Sequence, residues 1–165
     1  MSLYLGAGEQ KNMKIVLMSD SHGYDENVRQ VLAANQDADV FLHCGDLSSD
    51  DRLFPQLVCV QGNNDYYSDF PPERVLSYGG LHFFMTHSHH FPPVGRPQAL
   101  AARARQLGCD VVLYGHTHAY DDRYVDGIHL LNPGSLYYNR DMSKPGYMVL
   151  TIDSRGRLKT ERKYL

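Results

Sequence analysis

The hydrophobic positions of the first half of the chain fall into short runs that predict alternating strands and helices. The run "MKIVLMSD" from Met13 is continuously apolar and ends in polar residues, which is typical of a central strand buried on both faces. "YDENVRQVLAAN" places its apolar residues on one helical face and acids in its first turn, which predicts a helix. "ADVFLHCGD" and "LVCVQGNND" predict two more strands.

The second half of the chain predicts hairpins around one further helix and strand. "RVLSYGGLHFFMTHSHH" predicts a hairpin that turns at Gly79 and Gly80. "PQALAARARQLG" has proline near its start and glycine past its end, which predicts a helix, and "CDVVLYGHTH" predicts a strand. Two later hairpins are expected to turn at Asp126–Gly127 and near Gly156.

These elements predict one α/β domain over residues 13–165, with two sheets and helices on the outside. The first twelve residues, "MSLYLGAGEQKN", carry no periodic pattern and precede a second methionine. We interpret residues 1–12 as a leader or tag and exclude them from the fold.

The charge and composition of the chain bear on which partners it can bind. A formal net charge of −3 and a pI near 6.3 give no general attraction to nucleic acid or to an anionic membrane. A phosphate-bearing ligand would therefore need a local positive centre. Three scattered cysteines without a CxxC pair suit a reducing compartment, and no apolar run approaches the ~20 residues of a membrane span. We expect a cytoplasmic protein with no membrane partner.

Five polar clusters each follow a predicted strand: "SDSHG", "HCGD", "GNND", "THSHH" and "GHTH". Because the carboxyl ends of strands form the ligand crevice of open α/β sheets, we expect these clusters to converge. Residues i and i+2 of an extended backbone face the same way, so each pair in "DSH" and "HTH" should aim two ligands at one region. Asp, His and Asn donors without thiolate favour Mn, Fe or Zn over a structural zinc site.

The five motifs, in this order and with "NPGS" at residues 132–135, resemble those of the calcineurin-like metallophosphoesterases. The layout from Met13 onward is similar to that of the small bacterial YfcE-type phosphodiesterases of this superfamily. The resemblance implies an α-β-β-α fold, with two mixed sheets packed as a sandwich and helices on the outer faces. It also implies hydrolysis of phosphodiesters through attack of a metal-bridging hydroxide.

The resemblance further implies two divalent metal ions, with Mn²⁺ expected and Zn²⁺, Fe²⁺ or Ni²⁺ as alternatives. It assigns the first ion to Asp20, His22 and His118, the second to Asn63, His87 and His116, and the bridging position to Asp46. Two ions about 3.5–4 Å apart need a shared anionic ligand. Gly45 leaves room for the close approach that Asp46 needs. With Asp20, Asp46 and a hydroxide, the centre would carry about +1, which suits a phosphodiester monoanion.

Two further residues are predicted to take part in catalysis. Asn64 stands where protein phosphatases of the superfamily read GNHD, so the histidine regarded there as a general acid is absent, and Asn64 is expected to hydrogen-bond a phosphoryl oxygen. His89 resembles the second histidine of the family's "THGH" and is expected to face the substrate.

Other polar and aromatic residues are given structural interpretations. His43, His82 and His129 lie within strand-like runs without a ligand pattern, His90 is expected to be solvated, and Asp65 is expected to fix the loop that carries the asparagines. For the loop tyrosines two interpretations stay open, packing or stacking on a nucleobase in the cleft; these are Tyr66, Tyr67, Tyr137 and Tyr138.

Three classes of function remain: a metal-dependent phosphodiesterase with a small substrate, a nuclease of the same superfamily, and a non-catalytic scaffold like the retromer subunit of this fold. A short acidic chain without a basic groove argues against a nucleic-acid polymer as partner. The scaffold has lost several ligand histidines, and this chain keeps them all. Whether the chain forms a homo-oligomer stays open.

Overall fold

The computed structural model describes residues 12–165 of the chain, so the predicted leader lies, apart from Asn12, outside the described residues. The described residues form two five-stranded sheets. The strands, in chain order, are β1 (Met13–Met18), β2 (Val40–His43), β3 (Leu57–Cys59), β4 (Glu73–Tyr78), β5 (Leu81–Thr86), β6 (Val111–Tyr114), β7 (Tyr120–Val125), β8 (Ile128–Pro133), β9 (Gly146–Ile152) and β10 (Leu158–Tyr164).

Two α-helices pack on these strands, α1 (Asp25–Ala34) and α2 (Arg96–Gln106). Both were predicted, as were all ten strands and the three hairpin turns. A short 3-10 helix, Asp51–Leu53, was not predicted. Its N-cap is Asp50, whose side chain accepts a hydrogen bond from the backbone N–H of Arg52. This cap is a local signal that has no hydrophobic periodicity.

Both sheets are mixed: each contains parallel and antiparallel pairs of strands. The first sheet has the order β10-β9-β1-β2-β3 and the second β4-β5-β6-β8-β7. β1 pairs in parallel with β2, and β6 pairs in parallel with both β5 and β8. The C-terminal hairpin β9–β10 returns to β1, so the first sheet contains both ends of the described chain. β1 is therefore a middle strand, as predicted, and β6 is its counterpart.

The alternation of side chains along β1 explains the layering. Ile15 and Leu17 face the second sheet and pack with Met85 and Leu113, all fully buried or nearly so. The intervening Val16 faces the other way, onto α1. A separate cluster beneath α2 covers the outer face of the second sheet. The predicted sandwich of two mixed sheets with helices outside is confirmed.

No helix among residues 12–165 is long and apolar enough to cross a membrane.

Candidate metal centre

The carboxyl ends of the two middle strands, β1 and β6, lie at the same end of the sandwich. Asp20 and His22 follow β1, and His116 and His118 follow β6. The predicted convergence of the motifs is present in the structure, where Asp20, His22 and His118 form a first cluster that could hold a metal ion. A second cluster, Asp20, Asp46 and His87, shares Asp20 with the first.

Asp20 lies at the centre of the two clusters. Its Oδ2 accepts hydrogen bonds from Ser19 Oγ at 2.5 Å and from the backbone N–H of His116 at 3.0 Å. Its Oδ1 is buried and accepts no hydrogen bond. This oxygen faces three imidazole Nε2 atoms, those of His118 at 3.3 Å, His22 at 3.7 Å and His87 at 3.8 Å. The arrangement leaves one carboxylate oxygen directed at a position between three nitrogen donors.

Asp46 faces the same space from the first sheet. Its Oδ2 is 3.5 Å from His22 Nε2 and 3.3 Å from His87 Nε2, so it reaches one histidine of each cluster. The backbone N–H of Asn64 donates to Asp46 Oδ1 at 2.8 Å, and the side-chain amide of Asn64 donates to Oδ2 at 3.0 Å. The Asn64 side chain thus contacts the carboxylate, whereas the sequence predicted a contact to a phosphoryl oxygen.

Two histidines have their tautomers fixed by backbone carbonyls. His87 Nδ1 donates to the carbonyl of Cys44 at 2.8 Å, and His118 Nδ1 donates to the carbonyl of Tyr138 at 2.7 Å. A carbonyl only accepts, so each neutral ring keeps its lone pair on Nε2, the atom that faces Asp20. His118 Nε2 also lies 3.1 Å from His22 Nε2, so two ring nitrogens face each other across a gap that a proton or a cation must occupy.

Charges within the clusters shift the pKa values in opposite directions. Burial favours a higher pKa for Asp20, but the imidazoles of His118 and His22 hold it below its usual value. Burial likewise opposes a low pKa for Asp46, and His87 holds it below the usual range. The pKa of His22 is raised by Asp20, and that of His87 is raised by Asp46 and Asp20 against the effect of burial. The site therefore favours positive charge at its centre.

The remaining predicted ligands lie beside the second cluster. Asn63 Oδ1 is 3.0 Å from His87 Nε2. The ring of His116 lies 5.1 Å from that of His87, centroid to centroid, but His116 belongs to neither cluster. The ring centroid of His89 lies 5.3 Å from that of His87 and 6.2 Å from that of His116. The buried Nδ1 of His89 has no hydrogen-bond partner. Burial and the neighbouring histidines lower the pKa of His89 to about 4.

The predicted reason for the paired ligands is wrong. Asp20, His22, Asp46, His116 and His118 all have positive φ, between 48° and 72°, so neither "DSH" nor "HTH" is extended. The chain leaves each strand in left-handed turns, which Asp and His tolerate better than most residues. The two loops that follow β1 and β2 then bond to each other, His22 N–H donating to the Asp46 carbonyl at 2.9 Å.

Three glycines allow the loops to approach. A Cβ on Gly115 would lie within 3 Å of Ser19 Oγ and Asp20 Oδ2, and one on Gly62 would overlap Asp46. A Cβ on Gly45 would lie 2.7 Å from His87 Nδ1. Gly45 thus leaves room for a close approach of the loops, as predicted. Gly62 of "GN" and Gly115 of "GH" allow the same close approach.

Asp65 joins two site loops. Its Oδ2 accepts from the backbone N–H groups of Asp46 and Gly62, both at 2.7 Å, and its Oδ1 accepts from that of Ser48 at 2.9 Å. The sequence assigned Asp65 to its own loop, and the structure extends that role to the loop after β2.

The "NPGS" segment supports the site in a way that sequence reasoning did not assign. Ser135 Oγ donates to the Asp20 carbonyl at 2.7 Å and accepts from the backbone N–H of Tyr137. Asn132 Nδ2 donates to Thr117 Oγ1 at 3.0 Å, within the "GHTH" turn. In the sequence, only the position of "NPGS" in the order of motifs pointed to this segment, and that position does not indicate the hydrogen bonds of Ser135 and Asn132.

The other histidines have structural contacts. His43 is fully buried, with Nδ1 accepting from Gly45 N–H at 3.1 Å and Nε2 bonded to Ser21 Oγ at 3.0 Å, and burial lowers its pKa to about 4. His82 bonds to Ser77 on the surface, and His129 bonds to Asp122 at 2.7 Å. None of these three belongs to the clusters.

The loop tyrosines divide between packing and exposure. Tyr137 stacks on Tyr24 with a centroid distance of 4.5 Å and lies 5.8 Å from the ring of His22. Tyr66 and Tyr67 are highly exposed, and Tyr138 is more than half exposed. Tyr137 therefore forms part of the wall beside the first cluster.

Residues 13–155 match the model of the calcineurin-like phosphoesterase superfamily domain. The chain belongs to this superfamily and is a metal-dependent phosphoesterase. It is 31% identical over 174 residues to phosphodiesterase MJ0936 of Methanocaldococcus jannaschii, a match that covers 92% of this chain and 95% of the relative.

Two solved structures show the same architecture. A predicted phosphoesterase from Streptococcus pneumoniae superposes with a TM-score of 0.80 at 27% identity, covering 93% of this chain and 99% of that one. Vps29 from Entamoeba histolytica, complexed with zinc, superposes with a TM-score of 0.71 at 23% identity, covering 92% and 98%. The second likeness shows the fold alone.

Replacing Asp65 with Asn should destabilise the fold and weaken metal binding together. The new amide group would face a backbone N–H that now donates to a carboxylate oxygen, and leaving a buried donor unpaired costs about 1–3 kcal/mol. Thermal unfolding and metal titration would measure the two effects.

The matched control is Asp153→Asn, because Asp153 also accepts two backbone N–H groups, those of Arg155 and Arg157, in the exposed β9–β10 turn. It should leave metal affinity unchanged. Equal metal affinities for the two variants would contradict the role of Asp65 in positioning the site.

Proposed function

We propose that this chain is a phosphodiesterase with two divalent metal ions held in the loops that follow β1, β2, β3, β5 and β6. The observation that carries the proposal is Asp20 Oδ1, a buried carboxylate oxygen without a hydrogen bond that faces the Nε2 atoms of three histidines. Buried charges need a compensating charge, and a cation here would meet one oxygen and several nitrogen donors.

The proposed ligand sets build on the two clusters, but they add Asn63 and His116 beside the second cluster and assign Asp20 to the first ion alone. The first ion would be held by Asp20, His22 and His118, the second by Asn63, His87 and His116, and both by Asp46. The oxygen and nitrogen donors, without thiolate, support Mn²⁺, with Zn²⁺, Fe²⁺ or Ni²⁺ as alternatives. When bound, the ions would supply a water of lowered pKa for attack on phosphorus and positive charge for the phosphoryl oxygens.

The chain's own residues would orient this chemistry. The carbonyls of Cys44 and Tyr138 hold the His87 and His118 rings with Nε2 turned toward the centre. Asn64 holds the Asp46 carboxylate through two hydrogen bonds. His89 lies beside the second cluster, its buried Nδ1 has no hydrogen-bond partner and its pKa is lowered to about 4, so a neutral imidazole there would contact a phosphoryl oxygen or the substrate's alcohol.

The scaffold class remains the second candidate because a Vps29 protein complexed with zinc has the same fold. Metal binding alone therefore does not separate the two functions. The deciding test is turnover by protein of known metal content.

Protein stripped with chelator and titrated with Mn²⁺ should bind two ions per chain and regain hydrolysis of bis(p-nitrophenyl) phosphate in step. The p-nitrophenyl monoester should react more slowly, because its dianion is a poorer match for a centre of about +1. Elemental analysis and nitrophenolate release would be measured together, with His82→Ala as the control histidine variant. Two bound ions without hydrolysis would favour the scaffold, and fewer than two would contradict the dinuclear centre.

Asp46→Asn should reduce metal retention and rate more than His22→Ala does. The asparagine keeps the shape and can keep the Asn64 N–H contact, but it removes the charge that both ions would share. Loss of a residue that merely supports a ligand costs about 10–100-fold, so loss of a shared ligand should exceed about 100-fold. Comparable losses in the two variants, measured on folded protein of known metal content, would argue against the bridge.

Asn64→His should flatten the dependence of rate on the pKa of the leaving alcohol. Without a proton donor the leaving oxygen departs as an anion, and general-acid help is typically worth ~10²–10⁴ in rate for poor leaving groups. Asn64→Ala is the control, because it removes the side-chain contact to Asp46 without adding an acid.

The alanine variant should therefore lower all rates in parallel. Rates across a series of aryl and alkyl diesters would be compared for the three proteins. A histidine variant whose plot runs parallel to that of the alanine variant would show that position 64 does not control protonation.

A further inference from the structure

A cleft of about 760 Å³ opens next to the candidate metal centre. Asn64 lines it and at the same time donates two hydrogen bonds to Asp46. Asp65, which holds the loop after β2, lines it too. The Asn64 side chain therefore lies between the cleft and the Asp46 carboxylate, and a group bound to phosphorus on the Asn64 side would extend toward the cleft.

The charges around the cleft are mainly negative. Asp50 is paired with Arg52 at 2.8 Å, and within residues 12–165 the other two carboxylates of the rim, Asp51 and Asp69, form no ion pair. The Asp65 carboxylate adds a charge that is screened by three backbone N–H groups. A second phosphate would be repelled from such a rim, and a cation would be attracted.

Two tyrosine rings complete the cleft. Tyr66 is 77% exposed and Tyr67 is fully exposed, so their faces are free to meet a ligand. Aromatic faces attract ammonium groups, quaternary ones included, and also contact hydrophobic parts of a ligand. Carboxylates beside open aromatic rings form a surface that suits an organic cation better than a neutral sugar or an anion.

We propose that this cleft binds the leaving alcohol of the diester and selects alcohols that carry an ammonium group over alcohols that carry an anion. The inference rests on the proposed phosphodiesterase function. It adds a substrate class, phosphodiesters of amino or quaternary ammonium alcohols, and excludes those whose leaving alcohol carries a second phosphate.

The test uses methyl aryl phosphodiesters with the metal-loaded protein. Uncharged aryl groups define the line of rate against leaving-group pKa, and two further substrates carry a trimethylammonium or a sulfonate group on the ring. The cationic substrate should lie about three- to tenfold above the line and the anionic one below it, and both deviations should shrink near 1 M salt, where the Debye length is about 3 Å.

The variant Asp51→Asn/Asp69→Asn should bring the ratio of cationic to anionic rates down toward that expected from leaving-group pKa alone. The control, Asp126→Asn/Glu161→Gln, makes the same change in net charge at exposed positions outside the cleft and should keep the ratio. Charged substrates that fall on the uncharged line, or a control that loses the ratio equally, would overturn the proposal.

A binding measurement separates this proposal from the phosphodiesterase function itself. Ligand-observed NMR should show that phenyltrimethylammonium binds the wild-type protein and benzenesulfonate does not, and that the double variant loses the binding. If no diester is hydrolysed but this binding is seen, the phosphodiesterase proposal fails and the cleft's preference stands. If diesters are hydrolysed and this binding is absent, the cleft's selectivity fails alone.

Discussion

The site is organised around a buried carboxylate that lacks a full set of hydrogen-bond donors. Asp20 is fully buried and satisfies one oxygen through Ser19 and the His116 backbone, while its other oxygen has no donor. An uncompensated buried charge costs several kcal/mol, so the surrounding side chains must supply positive charge. The carboxylates raise the pKa of His22 and, against the effect of burial, that of His87, and metal ions would supply the positive charge in the proposed metal-loaded protein.

The backbone around this carboxylate is strained and is held by contacts from several directions. Five of the seven proposed ligands have positive φ, which costs of order 1–3 kcal/mol each and persists where the surroundings fix the conformation. Asp65 fixes the loop after β2, Ser135 fixes the one after β1, and Gly115 lets the loop after β6 approach. Residues outside the proposed ligand set thus determine where the proposed ligands point.

The sequence predicts the architecture well because the patterns that encode it are local. β1 reads as buried on both faces since Ile15 and Val16 pack on opposite sides of one sheet, and the hairpins turn at glycines that favour positive φ. The convergence of the motifs follows from strand order. The 3-10 helix at Asp51–Leu53 depends on a single side-chain cap and leaves no period to detect.

The details of the site escape sequence reasoning because they arise from contacts between distant loops. The left-handed conformation of His22 depends on the Asp46 carbonyl, and the support from Ser135 comes from a segment more than a hundred residues away from Asp20. The orientation of Asn64 escapes prediction for the same reason. Its side chain donates to Asp46, which lies in another loop, and the residues next to Asn64 in the sequence do not indicate this contact. Motif spacing identifies candidate donors but not their orientation.

Two of the hydrogen bonds at this end of the sandwich join loops of different sheets. His87, which follows β5, donates to Cys44 after β2, and His116, which follows β6, donates to Asp20 after β1. Between the sheets lies an apolar core whose side chains set their separation. The packing of this core therefore sets the distance between the donor atoms that the two sheets contribute to the site. A substitution deep between the sheets, such as at Leu113 or Met85, would change that distance.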